Sequence, residues 1–359
     1  MDGRCPGVLR RLGLGMLMAA LMSSSGCLTG RMAPARLPES PIAFLYWEAN
    51  TAKKRAALFE KAAKAPPRAV ASPESERARL AEVRAYLRGE KTAAIRAQLA
   101  RHPGRLSLYW PRTGEIERVE AAPPGSMPLA WSTDRKRLLF SSAHRGGREQ
   151  LYEYHVERRD LSPITIGPDE HARGDYRPGG FVVHWLRSSR RGNVEQGVSL
   201  ADPGGRLGRV VARGVPPGTL RFAPEALRIV YEQVRVHRRI GGRLVFESSI
   251  ATRRLAPGAE EVVLARGREP ALSPDGRWIV FASPSSAGYR LRRMRIDGTS
   301  RVPINPGGTD ERMPTVSPDG EFVAFVRRVG SRRVLAVRRF DGSGDRVLVP
   351  AGWSEFPVW

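Results

Sequence analysis

The stretch Leu272–Phe281 reads LSPDGRWIVF, and Val316–Phe325, 44 residues further on, reads VSPDGEFVAF. A chain that repeats a strand–turn–strand unit folds by stacking the copies. One unit alone has two apolar faces and cannot bury them. Three weaker copies precede these two: Ser132–Phe140 (STDRKRLLF), Arg177–Val183 (RPGGFVV) and Phe222–Tyr231 (FAPEALRIVY). The anchors Thr133, Pro178, Pro224, Pro274 and Pro318 lie 45, 46, 50 and 44 residues apart. That period suits one four-stranded blade of a β-propeller.

Each part of the unit has a local reason. In Pro-Asp-Gly, proline presets φ, aspartate bonds its own backbone and glycine accepts a positive φ. The segment after the turn, RWIVFAS or EFVAFVR, is rich in β-branched and aromatic residues, as strands are. A third strand follows, in which Leu291, Met294 and Ile296 are interleaved with arginine. Asp297-Gly298 and Asp341-Gly342 make the next tight turn, and RVPI or RVLV supplies the fourth strand.

A Pro-Asp-Gly turn between apolar strands, followed by Asp-Gly, resembles the propeller repeat of the periplasmic TolB family. The likeness is strongest over residues 268–359, fair over 126–166 and 219–264, and weakest over 174–212. It implies a fold rather than a single function, because such propellers host many roles. Members of that family carry an α/β domain before the propeller, whereas only a helical insertion is expected here.

The two ends complete the count. Phe356–Trp359 reads as the first strand of another copy, as in Pro128–Trp131. Ile42–Tyr46 supplies its second strand, Arg105–Trp110 its third, Thr113-Gly114 a turn, and Ile116–Val119 its fourth. The expectation is an all-β, six-bladed propeller sealed by pairing the C-terminal strand with N-terminal strands, which removes open edges. The expected boundaries are residues 41–50 for the first composite-blade strand, 51–104 for a helical insertion and 105–359 for the rest of the propeller.

The insertion reads as helical. Residues 51–65 are rich in Ala, Lys and Glu, and Pro66-Pro67 ends the run. Ser72 and Pro73 then suit a helix start, with Leu80, Val83 and Leu87 on one face. Thr92 caps a last short helix carrying Ile95 and Leu99. Two readings stand: an arm that binds a partner or caps a propeller face, and an outcrop packed on the side of a blade.

Residues 1–26 hold Arg4, Arg10 and Arg11, then LGLGMLMAALM and SSSG before Cys27. This is the layout of a signal peptide. Small residues directly before a cysteine resemble the lipobox of bacterial lipoproteins, although Ser24 stands where that motif usually has leucine. The resemblance implies cleavage before Cys27, lipidation of its thiol, and residues 27–40 as a linker. Each buried methylene of an acyl chain contributes about 0.8 kcal/mol to anchoring. Leu28 after the cysteine implies the outer membrane. Cys5 is the only other cysteine, so the processed chain has no disulfide.

The formal charge is +24, and only six of the 60 basic residues are lysine. The arginines are spread along the chain without a nucleic-acid motif, so they are expected on solvated faces and no nucleic-acid partner is expected. No G-x-S-x-G elbow, phosphate loop or H-E-x-x-H occurs, and the six histidines lack metal-ligand spacing. Neither a cofactor nor a metal is expected. Acidic residues recur before several first strands: Glu269, Asp310, Glu311 and Glu355. Near a channel mouth they suit a basic peptide or a cation; equally, they offset arginines such as Arg268 and Arg312.

The leading functional expectation is a non-catalytic lipoprotein of the cell envelope that presents its propeller to another envelope protein. By resemblance, the partner is a peptidoglycan-associated lipoprotein or part of a secretion or transport complex. One alternative is a binder of anionic envelope polymers such as lipopolysaccharide or acidic glycan. The other is a propeller enzyme acting on a sugar or lactone. With the ring consuming the chain to its last residue, no room is expected for a hydrolase domain.

Overall fold

The turn that makes the repeat visible is built from side chains as well as backbone. Ser273 Oγ donates to Asp275 Oδ1 at 2.5 Å and accepts the Trp278 N–H at 2.9 Å, where the next strand begins. Asp275 Oδ1 also accepts the Arg277 N–H at 3.1 Å, and Gly276 takes φ 66°. The same set recurs at Ser317 and Asp319, and at Ser132 and Asp134. Serine followed two residues later by aspartate is therefore a structural signature: it closes the turn and starts the next strand.

The computed structural model describes residues 37–64, 101–188, 194–215, 218–240, 243–304 and 310–359. The segment 1–26, Cys27 and the helix starts assigned to Ser72 and Thr92 lie outside the described residues. The first three strands are β1 (Ile42–Trp47), β2 (Arg105–Tyr109) and β3 (Ile116–Arg118), with helix α1 (Ala49–Lys64) after β1. Blade one is β4 (Met127–Trp131), β5 (Arg137–Ser142), β6 (Gln150–His155) and β7 (Asp160–Pro163). Blade two is β8 (Glu170–Arg177), β9 (Gly180–Ser188), β10 (Val194–Ala201) and β11 (Leu207–Arg213). Blade three is β12 (Leu220–Ala223), β13 (Arg228–Ile240), β14 (Arg243–Arg254) and β15 (Glu261–Arg266). Blade four is β16 (Arg268–Leu272), β17 (Trp278–Ser285), β18 (Gly288–Arg295) and β19 (Val302–Pro303). Blade five is β20 (Glu311–Val316), β21 (Phe322–Val329), β22 (Arg332–Arg339) and β23 (Asp345–Val349).

The last strand, β24 (Trp353–Val358), pairs with β1, giving a sixth sheet in the order β24-β1-β2-β3. Ala43 stands opposite Val358 and Trp47 opposite Trp353. The described residues thus form six four-stranded sheets, and the first strands of successive sheets lie side by side around a ring. The fold is the six-bladed propeller expected from the repeat, and the composite blade is made of the expected strands.

The hydrophobic core is distributed between blades. Val280 and Leu291 of blade four meet Val323, Phe325 and Ala336 of blade five. Val182 and Val198 of blade two meet Phe222, Ile229 and Tyr231 of blade three. The sixth blade is held on both sides. Trp359 packs beside Phe322 of blade five, with ring centroids 6.3 Å apart. Its N–H donates to Thr315 Oγ1 at 3.0 Å, and its Nε1 donates to the Ser40 carbonyl at 3.1 Å. On the other side, Trp131 Nε1 of blade one donates to the Val358 carbonyl at 3.1 Å. Truncating a buried indole typically costs about 3–5 kcal/mol. Trp359→Ala is therefore expected to destabilise the whole ring by about that much, read as a lowered midpoint in urea unfolding with the denaturant slope retained.

Candidate functional site

The strands nearest the axis are irregular for a reason. In β16 the pairing register breaks between Arg268 and Ala271, and in β20 between Arg312 and Thr315. Within the breaks, Glu269 (φ 57°) and Met313 (φ 54°) adopt left-handed backbone; Phe356 (φ 53°) does the same in β24. All three precede a proline, Pro270, Pro314 and Pro357. Left-handed backbone is costly for non-glycine residues, and it persists only where the surroundings over-determine it.

Those surroundings belong to the preceding blade. The Glu269 N–H donates to Glu232 Oε2 of blade three at 3.2 Å. The Met313 N–H donates to Glu269 Oε2 of blade four at 2.8 Å. The Phe356 N–H lies 3.3 Å from Met313 Sδ of blade five. Each bulge turns one backbone donor away from its own sheet, and an acceptor in the neighbouring blade takes it. The Phe222 N–H of blade three also donates to a carboxylate of the preceding blade, Asp175 Oδ2 at 2.8 Å, but from a strand whose register is unbroken.

The carboxylates at these seams are also ion-paired. Arg268 Nε donates to Glu232 Oε1 at 2.9 Å, and Arg312 Nη2 to Glu269 Oε1 at 2.5 Å. Burial raises the Glu269 pKa, but Arg312 and Arg268 outweigh it, so the carboxyl sits below its ordinary value. Glu355 behaves alike: burial raises it, and Arg55 and Arg333 bring it below the usual range. Burial pushes the Asp175 carboxyl up against the pull of Arg221 and two backbone N–H groups.

The acidic residues singled out in the sequence therefore have distinct positions. Glu269 borders the central space, which measures only about 60 Å³ and is lined by residues of all six inner strands. Glu311 lies behind it, fully buried, bonded by Arg338 Nη1 at 3.0 Å and Arg327 Nη2 at 2.8 Å. Glu355 accepts from Arg55 and Arg333, both at 2.8 Å. Asp310 accepts the Tyr289 N–H at 3.0 Å and sits 4.0 Å from Arg328. Not all the arginines are on solvated faces: Arg268, Arg312 and Arg338 are buried in these pairs. Among the described residues, no group of three or more His, Cys, Asp or Glu side chains is placed to hold a metal ion.

One face of the ring carries the largest additions. Helix α1 leaves β1 beside Trp353, at the end where the inner strands begin. It seats Ala52 and Ala56 against Leu45, Trp47 and Trp353. Arg55 lies 3.9 Å from the Trp47 ring centroid while pairing with Glu355, and Phe59 stacks on Trp353 at 5.1 Å. The helix is thus joined to the inner strand of blade six, next to Phe356, which lines the central space. Lys53, Lys54, Ala57 and Glu60 face outward. Trp47 Nε1 donates to the His102 carbonyl at 2.7 Å, so the chain leaves and returns at one neck. On the same face, β13 and β14 run past the start of β12 as a projecting hairpin.

No protein-family model matches the chain, and no curated protein matches it by sequence. Among solved structures, TolB from Acinetobacter baumannii superposes with a TM-score of 0.58 at 16% identity, covering 89% of this chain and 66% of that one. This is the TolB-type propeller fold. A putative TolB from Agrobacterium tumefaciens gives 0.52 at 22% identity, covering 68% of this chain and 87% of that one. Kuenenia stuttgartiensis hydrazine synthase gives 0.53 at 12% identity, covering 89% and 46%. The chain therefore spans just under two-thirds of the Acinetobacter TolB, and at these identities the likeness extends to the fold.

Removing one partner of a buried ion pair leaves an uncompensated charge, at a cost of about 3–5 kcal/mol. Arg312→Met is expected to lose that much stability at neutral pH, and adding Glu269→Gln is expected to restore most of it. Because the folded pKa of Glu269 is depressed, its contribution is present above the unfolded value and is lost as pH falls through the folded one. Acid unfolding of Glu269→Gln should accordingly be less steep than that of the wild type, as followed by circular dichroism.

Proposed function

We propose that this chain is a non-catalytic, TolB-like scaffold of the bacterial cell envelope that binds another envelope protein through the face carrying α1. The observation that carries the reading is the placement of the insertion. A helix with a buried side and a charged outer side stands beside the channel mouth, and a hairpin of blade three projects from the same face across the ring. Insertions in repeat folds map to loops on one face, often the binding face. The carboxylate bordering the central space, Glu269, is committed to Arg312 and to the Met313 N–H. That commitment does not suit an acid–base catalyst, which needs a group free to exchange its proton with a substrate.

The envelope assignment rests on residues 1–26 and on small residues before Cys27, together with the fold shared with TolB. Cleavage before Cys27 and its acylation give a lipid anchor, and Leu28 favours the outer membrane. No helix among the described residues is long and apolar enough to cross a membrane. Cells fed labelled palmitate should label the wild-type chain and leave Cys27→Ser unlabelled; equal labelling of both removes the anchor.

The partner reading is tested by affinity capture from detergent-solubilised envelopes. A specific partner is expected with the wild-type chain. It is expected to be lost when Lys53 and Lys54 are replaced by glutamate, and kept when the opposite face is substituted. Recovery of the bait alone, or of the same proteins with every variant, overturns the reading.

A second reading keeps one observation of its own. Arg145 and Arg148 border a cleft of about 380 Å³ between β6 and the segment after β7, in a chain of charge +24. This suits an anionic glycan. Such binding should collapse with added salt, because screening acts within about 8 Å at physiological ionic strength; salt-independent binding excludes it.

A further inference from the structure

The face away from α1 holds a separate concavity between blades two and three. It measures about 530 Å³, within the range of small-molecule sites. Leu200, Phe222 and Leu255 give it an apolar floor. Arg177, Arg209 and Arg254 line it, and among the described residues no carboxylate does. Two of them are fixed by backbone carbonyls. Arg209 Nη2 donates to the Leu255 carbonyl at 2.6 Å, and Arg177 Nη2 to that of Ala201 at 3.1 Å.

The lip of the cleft is strained. Leu227, in the turn between β12 and β13, is 64% exposed and has φ 44°. The corresponding turns of blades four and five place glycines, Gly276 and Gly320, in left-handed backbone, and that of blade one places Arg135 there at φ 60°. A branched apolar side chain in that conformation carries a steric cost, and its exposure adds a second. The backbone of Leu227 is held by two hydrogen bonds, its N–H to the Pro224 carbonyl at 3.1 Å and its carbonyl from the Leu255 N–H at 2.8 Å, while its side chain stays exposed. Strain of this kind collects at ligand sites.

We propose that this cleft binds a single-chain anionic amphiphile, an acyl chain ending in a carboxylate or phosphate. The tail lies on Leu200, Phe222, Leu227 and Leu255, and the head meets the arginines. An apolar floor calls for a tail, and three cations without a lining anion call for a negative head. The site is independent of the protein-binding face proposed above.

The test is isothermal titration of the full chain with dodecanoate and dodecyl phosphate below their micellar concentrations. Dodecyl maltoside supplies the same tail without charge, and butyrate supplies charge without the tail. Saturable binding of one amphiphile per chain is expected for the two anions, with both controls at least about tenfold weaker, as loss of a charged hydrogen bond or of a buried tail implies. Arg254→Gln is expected to weaken dodecanoate about tenfold and leave the maltoside unchanged. Leu227→Gly should weaken dodecanoate while holding or raising the melting temperature, because glycine relieves the left-handed backbone. That pairing separates a ligand contact from a structural role. Equal affinity for dodecanoate and the maltoside, butyrate binding as tightly as dodecanoate, unaltered affinity in both variants, or no binding each overturns the proposal. Binding to anionic phospholipid vesicles that dodecanoate does not compete away also overturns it, by assigning the arginines to a membrane surface.

Discussion

A ring of sheets must hold at its seams, and here the seams are joined by backbone donors that each blade surrenders to its neighbour. At Glu269, Met313 and Phe356 a bulge turns one N–H out of its own ladder, and an acceptor in the preceding blade receives it. Two of those acceptors are carboxylates, and each also pairs with a buried arginine. The arrangement couples three costs that are unfavourable separately: left-handed backbone, an unpaired N–H and a buried charge. Together they satisfy one another. Glu269 is both donor to one neighbour and acceptor from the next, so blades three, four and five are linked through a single residue.

The same economy explains the narrow axis. The prolines after the bulges and the side chains of all six inner strands leave about 60 Å³ in the centre. Larger spaces lie at the periphery, between blades or beside the added helix. Recognition in this molecule is thereby moved outward, onto the loops and clefts that vary from blade to blade.

Much of the architecture could be read from the chain because the turn chemistry is local. Serine, aspartate and glycine within four residues specify one turn, and the apolar strand after it follows. Blade two was the weakest copy for a physical reason. Its first hairpin is the tight Pro178-Gly179 connection, without the serine–aspartate pair, and its inner strand buries His171, Ala172 and Gly174 in place of large apolar residues. The composite blade was legible from its ends, since Ala43 meets Val358 as the strand pattern required. The seam contacts were not legible. Glu232 receives the N–H of Glu269 from 37 residues away, and a left-handed residue before proline contradicts ordinary preference. Of the four acidic residues picked out by position, only Glu269 reaches the central space. The arginines at Glu311 and Glu355 come from other strands and from α1, which no local pattern announces.

The neck at Trp47 has a consequence for how such a chain diversifies. Its indole bonds the His102 carbonyl, and a side chain at Gly104 would meet that ring at 2.6 Å. Departure and return are clamped together by residues of the wheel itself, so a change in the length of the cassette between them alters the entropy of closing it only slowly, by about 0.6 kcal/mol per doubling. Such a port lets evolution, or an engineer, exchange the chain beyond α1, whose own packing on Trp353 and pairing with Glu355 belong to the chassis.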